Sequence, residues 1–140
     1  MSRMRRNKGI RGEREVIDML QPVVNTVYAK MNMEPPLLQR NTLQSDRGGF
    51  DVVGLEWLAI EVKRQESKFQ NAWWQQAVMQ AKGKEVALFY RCSHAPWTVR
   101  KQTPGRAVIE MTQEESLLYF AARLERALKN ERVLRAIRGG

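Results

Sequence analysis

Apolar positions spaced for helices predict three helical segments. Residues 8–20 carry an amphipathic helical pattern that Pro22 is expected to interrupt or end. A second helical pattern covers residues 69–82. A third begins near Thr112, where the sequence Thr-Gln-Glu-Glu predicts a capping box with Glu115. The chain is therefore expected to have a helix at each end and one in the middle.

Between these helices lie short runs typical of β-strands. Residues 50–53 and 57–63 are joined by a short turn and predict a hairpin. The second run alternates, so Glu61 and Lys63 are expected on the face opposite Val62. The remaining predicted strands are 37–40, 86–90, 97–101 and 107–111, and the unbroken apolar run 86–90 is expected to lie centrally.

Length and charge narrow the function classes. A chain of 140 residues fits one domain, spanning 1–140. Its 24 Lys and Arg against 15 Asp and Glu give a net charge of +9, which favours a polyanionic partner. One cysteine and one histidine exclude an intramolecular disulfide and a zinc site of several thiolates or imidazoles. We expect a cytoplasmic protein, of a cell or of a virus-infected host, without a membrane span.

Three charged residues of the predicted hairpin suggest chemistry. Asp51 and Glu61 are equidistant from Glu56, so a turn centred there would place the two carboxylates opposite each other, ~5 Å apart between Cβ atoms. Carboxylates this close favour a divalent cation such as Mg²⁺ or Mn²⁺. Lys63, on the same face, could orient a water or stabilise charge on a phosphate. The alternative is a hairpin whose solvent face carries these charges with no further role.

These residues resemble a known family. The D-x9-E-x-K spacing of Asp51, Glu61 and Lys63 resembles the core motif of the PD-(D/E)XK nuclease superfamily. Residues 8–15 resemble the first helix of archaeal-type Holliday junction resolvases, and Arg40 with residues 96–99 follows that family's order.

The resemblance implies an α/β fold with a restriction-endonuclease-like core, a mixed central sheet flanked by helices. It also implies Mg²⁺-dependent (or Mn²⁺-dependent) phosphodiester hydrolysis by a homodimer. Glu13, Asp51 and Glu61 match the metal-site carboxylates and Lys63 matches the catalytic lysine. Without the resemblance, Glu13 would be interpreted as one of several solvated charges on the first helix.

Basic residues surround the predicted site in sequence and are candidates to contact DNA phosphates. They are Arg3, Arg5, Arg6 and Lys8, of which the first three lie in a basic N-terminal arm (1–7), then Arg40 and Arg47, and finally Arg64 and Lys68. Trp73 and Trp74 could stack on bases, although Trp74 is expected in the core. The C-terminal helix, 112–138, is expected to pack on the sheet or on a second copy of the chain, with Leu134 or Ile137 extending its apolar stripe.

The leading hypothesis is a structure-selective DNA endonuclease that cuts four-way junctions as a homodimer, because paired incisions need two related sites. A less selective nuclease on the same scaffold is the second hypothesis. A non-catalytic basic DNA-binding protein, with salt-sensitive binding and no metal requirement, is the third.

Overall fold

The structure, a computed structural model, describes residues 3–42, 50–92 and 94–139, with side chains from residue 9 onward. In these ranges the helices are α1 (Arg3–Lys30), α2 (Asn71–Ala81) and α3 (Gln113–Ile137). The strands are β1 (Gln39–Arg40), β2 (Val52–Val53), β3 (Leu58–Gln65), β4 (Glu85–Cys92), β5 (Thr98–Gln102) and β6 (Ile109–Thr112).

The first helix is longer than predicted at both ends. It passes through Pro22 and ends at Lys30, so the expected break at Pro22 is wrong. A proline inside a helix removes a hydrogen bond and costs ~3 kcal/mol. Burial of Val24, Val27 and Met31 beyond it offsets that cost. Since α1 already begins at Arg3, most of the predicted basic arm belongs to the helix.

A six-stranded sheet forms the centre of the described structure, in the order β1-β2-β3-β4-β5-β6. Four neighbouring pairs are antiparallel, whereas β3 and β4 are parallel. Parallel strands need a long crossover connection, and α2 supplies it between β3 and β4. The predicted central position of 86–90 is confirmed, because β4 lies between β3 and β5.

Helices cover both faces of this sheet. On one face, α1 and α3 enclose a core that includes Leu58, Ile60 and Val62 of β3. On the other face, α2 packs over Ala59 and neighbouring apolar residues of β4. The predicted α/β class, a mixed central sheet flanked by helices, is confirmed. The alternation of β3 also directs Glu61 and Lys63 toward the α2 face.

The last helix begins with the predicted capping box. The Thr112 side chain accepts a hydrogen bond from the Glu115 N–H at 3.2 Å, and the Glu115 carboxylate accepts one from the Thr112 N–H at 3.0 Å. The first half of α3 buries Ser116, Phe120, Leu124 and Leu128 against α1 and the sheet. Leu134 and Ile137, the expected extension of the apolar stripe, are exposed and do not pack on the sheet, so their packing on a second copy of the chain stays a prediction.

Gly12 sets the distance between α1 and β3. A Cβ atom there would lie 3.0 Å from the Arg64 Cβ and 3.3 Å from the Val62 Cγ1, closer than ordinary packing allows. The side chain of Gln21, further along α1, accepts a hydrogen bond from the Leu38 N–H beside β1. Leu38 precedes β1 and lies near the start of β3, because Gln39 pairs with Val53 and Val52 pairs with Ile60. Gly12 contacts the end of β3 and Gln21 lies near its start, so α1 runs antiparallel to β3. The first turns of α1 therefore extend past the carboxyl end of β3.

We expect Gly12→Ala to lower stability relative to Gly9→Ala by about 1–3 kcal/mol. Both changes gain about the same intrinsic helix propensity. A Cβ atom at Gly9 would meet no described residue beyond its own helix within 4 Å, whereas Gly12 abuts β3. Urea denaturation of both variants measures the difference, and equal stabilities would contradict the close approach of α1 to β3.

Candidate active site

Asp51 directly precedes β2 and lies beside Glu61, in the middle of β3. Val52 pairs with Ile60, so continuing the antiparallel register by one residue places Asp51 beside Glu61. The Asp51 N–H donates to the Ile60 carbonyl at 2.9 Å, and the Val62 N–H donates to the Asp51 Oδ2 at 2.8 Å. The Asp51 side chain therefore continues the hydrogen bonding of β3 where the β2 backbone stops, which fixes its orientation.

Glu61 is buried beside that carboxylate, with only 6% of its surface exposed. Burial, followed by the charge of Asp51 and a hydrogen bond to its side chain, raises the pKa of Glu61 to about 9. The charge of Lys63 opposes this rise in pKa, and that of Glu13 adds to it. At neutral pH the metal-free pair therefore holds a proton, because the buried Glu61 carboxylate resists ionising beside that of the partly buried Asp51.

Glu13 approaches the pair from α1. Burial, then the charge of Asp51, raises the pKa of Glu13, while Arg40 opposes the rise. The Arg40 Nε donates to the Glu13 Oε1 at 3.1 Å. Arg40, a sequence candidate for DNA contact, thus pairs with a carboxylate of the site and neutralises part of its negative charge.

The donors present suit a hard cation. Carboxylate oxygens are the preferred protein ligands of Mg²⁺ and Mn²⁺, and Mg²⁺ is usually held by one or two carboxylates plus waters and phosphate oxygens. Within the described ranges, no three His, Cys, Asp or Glu side chains come together closely enough to hold one metal ion. The residues therefore fit a metal held by the Asp51 and Glu61 pair, with Glu13 paired to Arg40 nearby.

The other basic residues predicted to contact DNA differ in their exposure to solvent. Lys68 is exposed after β3, whereas the Arg64 side chain is only 8% exposed and faces Glu15, with 3.5 Å between Arg64 Nε and Glu15 Oε1. Arg64 is therefore not presented on the surface in this conformation. Arg3, Arg5, Arg6 and Lys8 lie in the first turns of α1, but their side chains are outside the described residues, as is Arg47 altogether.

Sequence reasoning missed two features near this site. The first is that Arg91 on β4 also pairs with Glu15, with 3.5 Å between Arg91 Nη2 and Glu15 Oε2. Two arginines therefore flank one carboxylate. The second feature is that Phe69 and Tyr90 join Trp73, a sequence candidate for base stacking, in an aromatic group beyond Lys63. The four-residue spacing of Phe69 and Trp73 indicates a shared helical face, but nothing in the sequence signals Tyr90. Trp74 is buried in the core, as predicted.

Among the residues described, no helix has both the length and the apolar character needed to cross a bilayer. The chain is an α/β protein whose mixed sheet carries a carboxylate pair, with Glu61 buried, and a lysine on its third strand, β3.

No protein-family model matches the chain, and no curated protein matches it. Among solved structures, it is similar to that of Hjc from Archaeoglobus fulgidus, a Holliday junction resolvase from an archaeal hyperthermophile. Identity is 20% and the TM-score is 0.44, over 79% of this chain and 86% of the other. At this level of likeness, function has to be inferred from the side chains themselves.

Proposed function

We propose that this protein is a divalent-metal-dependent DNA endonuclease with a restriction-endonuclease-like core, formed by one nuclease domain, that cuts branched DNA such as four-way junctions. The observation that carries the proposal is the buried Glu61 beside the partly buried Asp51, an arrangement that raises the pKa of Glu61 and has Lys63 beside it. A buried carboxylate next to a second carboxylate is costly to the fold unless a cation or a proton neutralises it. Such a perturbed cluster, in a strongly basic protein, favours catalysis on a polyanion.

Each residue of the cluster has a distinct role in this proposal. Asp51 and Glu61 would hold a Mg²⁺ or Mn²⁺ ion, which when bound supplies neutralising charge at a phosphodiester and a more acidic water. The Asp51 Oδ2, fixed by the Val62 N–H, holds its carboxylate in place for this role. Lys63 places a positive charge where negative charge develops on the phosphate. Arg40 positions Glu13 beside the pair, where Glu13 would accept a proton from the attacking water.

The basic start of α1 and the exposed Lys68 lie toward the carboxyl end of β3, the same end as Lys63. This arrangement supports a DNA path across that end of the sheet, with Arg3, Arg5, Arg6 and Lys8 contacting phosphates. Cutting two opposed strands of a junction requires two sites, so we propose a homodimer that acts on DNA in the cytoplasm.

The proposal is tested by incubating the protein and Mg²⁺ with a synthetic four-way junction and with linear duplex of the same sequence. We expect cleavage of the junction that EDTA abolishes and that Asp51→Asn slows by about a thousandfold, as when a preorganised electrostatic group is lost. Glu125→Gln, a change of a partly exposed charge on α3, is the matched control and leaves the rate unchanged.

The outcomes separate the three hypotheses. Equal rates on junction and duplex would support the less selective nuclease. Tight, salt-sensitive DNA binding with no metal-dependent cleavage would overturn the nuclease in favour of a non-catalytic binding protein.

A further inference from the structure

A small cavity opens at the carboxyl ends of β3 and β4. Its volume is 180 Å³, well below the ~300–1,000 Å³ of pockets for drug-sized ligands, so it suits one flat ring system. The walls come from the β3–α2 loop, the start of α2, and the segment from β4 to β5. The lining residues are Ser67, Phe69, Trp73, Tyr90, Arg91, Cys92, Ala95, Pro96 and Thr98.

Aromatic rings form one side of this cavity and are partly exposed to it. The Phe69 and Tyr90 ring centroids are 4.8 Å apart, and Trp73 meets Phe69 edge to face at 6.0 Å. The guanidinium of Arg100 lies 4.3 Å from the Phe69 ring, and Arg100 is held there by Glu110 at 2.9 Å. These contacts fix the rings before any ligand arrives, which lowers the entropic cost of stacking another ring on them.

The cavity adjoins the candidate active site. Tyr90 pairs directly with Lys63 in the parallel register of β3 and β4, and both side chains point to the α2 face. Adjacent strands are about 4.8 Å apart, so the aromatic wall begins one strand away from the lysine. A group in the cavity would therefore lie within the reach of a nucleotide whose phosphate is near Lys63.

Arg91 lines the cavity, but its side chain lies on the other face of the sheet. It pairs with Arg64 in the parallel register of β3 and β4, so its side chain points to the α1 face, away from Lys63 and Tyr90. There Arg91 shares the carboxylate of Glu15 with Arg64, and the Nε atoms of both arginines are buried. Two guanidinium groups on one carboxylate leave a net positive charge behind the cavity, which favours the approach of a polyanion.

We infer that this cavity takes one unstacked nucleobase of the DNA substrate, stacked on the Phe69, Trp73 and Tyr90 rings. This inference rests on the proposed function and specifies how the same site selects its substrate. A base paired and stacked inside a continuous duplex cannot enter the cavity, whereas a base at a branch point has already lost part of its stacking. The aromatic group thus gives branched DNA an advantage over linear duplex.

The test removes an aromatic ring from the protein and a base from the DNA, first separately and then together. A synthetic four-way junction carries one abasic nucleotide, scanned over positions near the branch, and binding is measured without divalent metal so that no strand is cut. At one position or more we expect the missing base to weaken binding to the unchanged protein by about tenfold. In Phe69→Leu and Trp73→Leu, which keep apolar volume but lose the ring, the same abasic position should cost less than twofold.

Met79→Ala is the matched control, since Met79 is 77% exposed on α2 and lies outside the cavity. It should keep the full tenfold abasic effect, and circular dichroism checks that every variant is folded. The inference is overturned if no abasic position weakens binding to the unchanged protein, or if the abasic effect is the same in the ring variants. An abasic effect without metal-dependent cleavage would support the base-binding cavity and reject the nuclease. Metal-dependent cleavage without an abasic effect would support the nuclease and reject the base-binding cavity.

Discussion

Glu61→Gln is expected to stabilise the metal-free protein at pH 8 while removing its response to Mg²⁺. The pKa of Glu61 in the folded protein is raised to about 9, from an ordinary value of 4.5, by burial and by Asp51. The folded state therefore holds a proton that the unfolded chain releases between these two values, and stability falls as pH rises through this window. Glutamine resembles the protonated acid and avoids the loss, on the order of 5 kcal/mol at pH 8.

Thermal unfolding at pH 4.5 and pH 8, with EDTA or Mg²⁺, measures both parts of this prediction. The variant and the unchanged protein should differ little at pH 4.5 and clearly at pH 8. Mg²⁺ should raise the melting temperature of the unchanged protein at pH 8, because a cation replaces the shared proton, and should barely affect Glu61→Gln. Glu125→Gln, at a partly exposed site, controls for the loss of one charge. A pH-independent difference between variant and parent would contradict the buried pair.

The pairing of Asp51 with Glu61 was predictable because it depends on local information. A short turn fixes the register of a hairpin, and counting equally from Glu56 gives the register that Val52 and Ile60 adopt. The capping box at Thr112 was predictable for the same reason. The length of α1 was not, because the local cost of Pro22 is outweighed by burial of Val24 and Val27 against distant strands.

The environment of the site depends on contacts that the sequence does not encode locally. Arg40 meets Glu13 only because α1 packs closely over β3 at Gly12. Tyr90 lies beside Lys63 because the α2 crossover sets the register of two parallel strands. The direction of Arg64 was predictable, since alternation places it on the face of Val62, opposite Lys63. Its selection as a DNA contact followed from nearness in sequence alone.

Glu85→Ala is expected to destabilise the protein by about 3–5 kcal/mol, because it leaves a buried cation unpaired. The Glu85 side chain is 3% exposed at the start of β4, and Lys101 on β5 is 4% exposed, with 3.6 Å between Lys101 Nζ and Glu85 Oε2. Arg123 and Tyr119 of α3 also donate to this carboxylate, at 3.2 and 3.0 Å. Glu85 therefore joins α3 to the sheet through several charged contacts at once.

Urea denaturation measures the loss, and Glu125→Ala is the control for an exposed pair, where we expect less than about 0.5 kcal/mol. The double variant Glu85→Leu with Lys101→Met should recover much of the stability, because it leaves neither a buried carboxylate nor a buried ammonium, and Arg123 can reach solvent. If Glu85→Ala cost as little as Glu125→Ala, the charges around Glu85 would be solvated in the folded protein. Recovery in the double variant, but not in Glu85→Leu alone, would show that the loss comes from the unpaired Lys101 rather than from missing contacts of the glutamate stem.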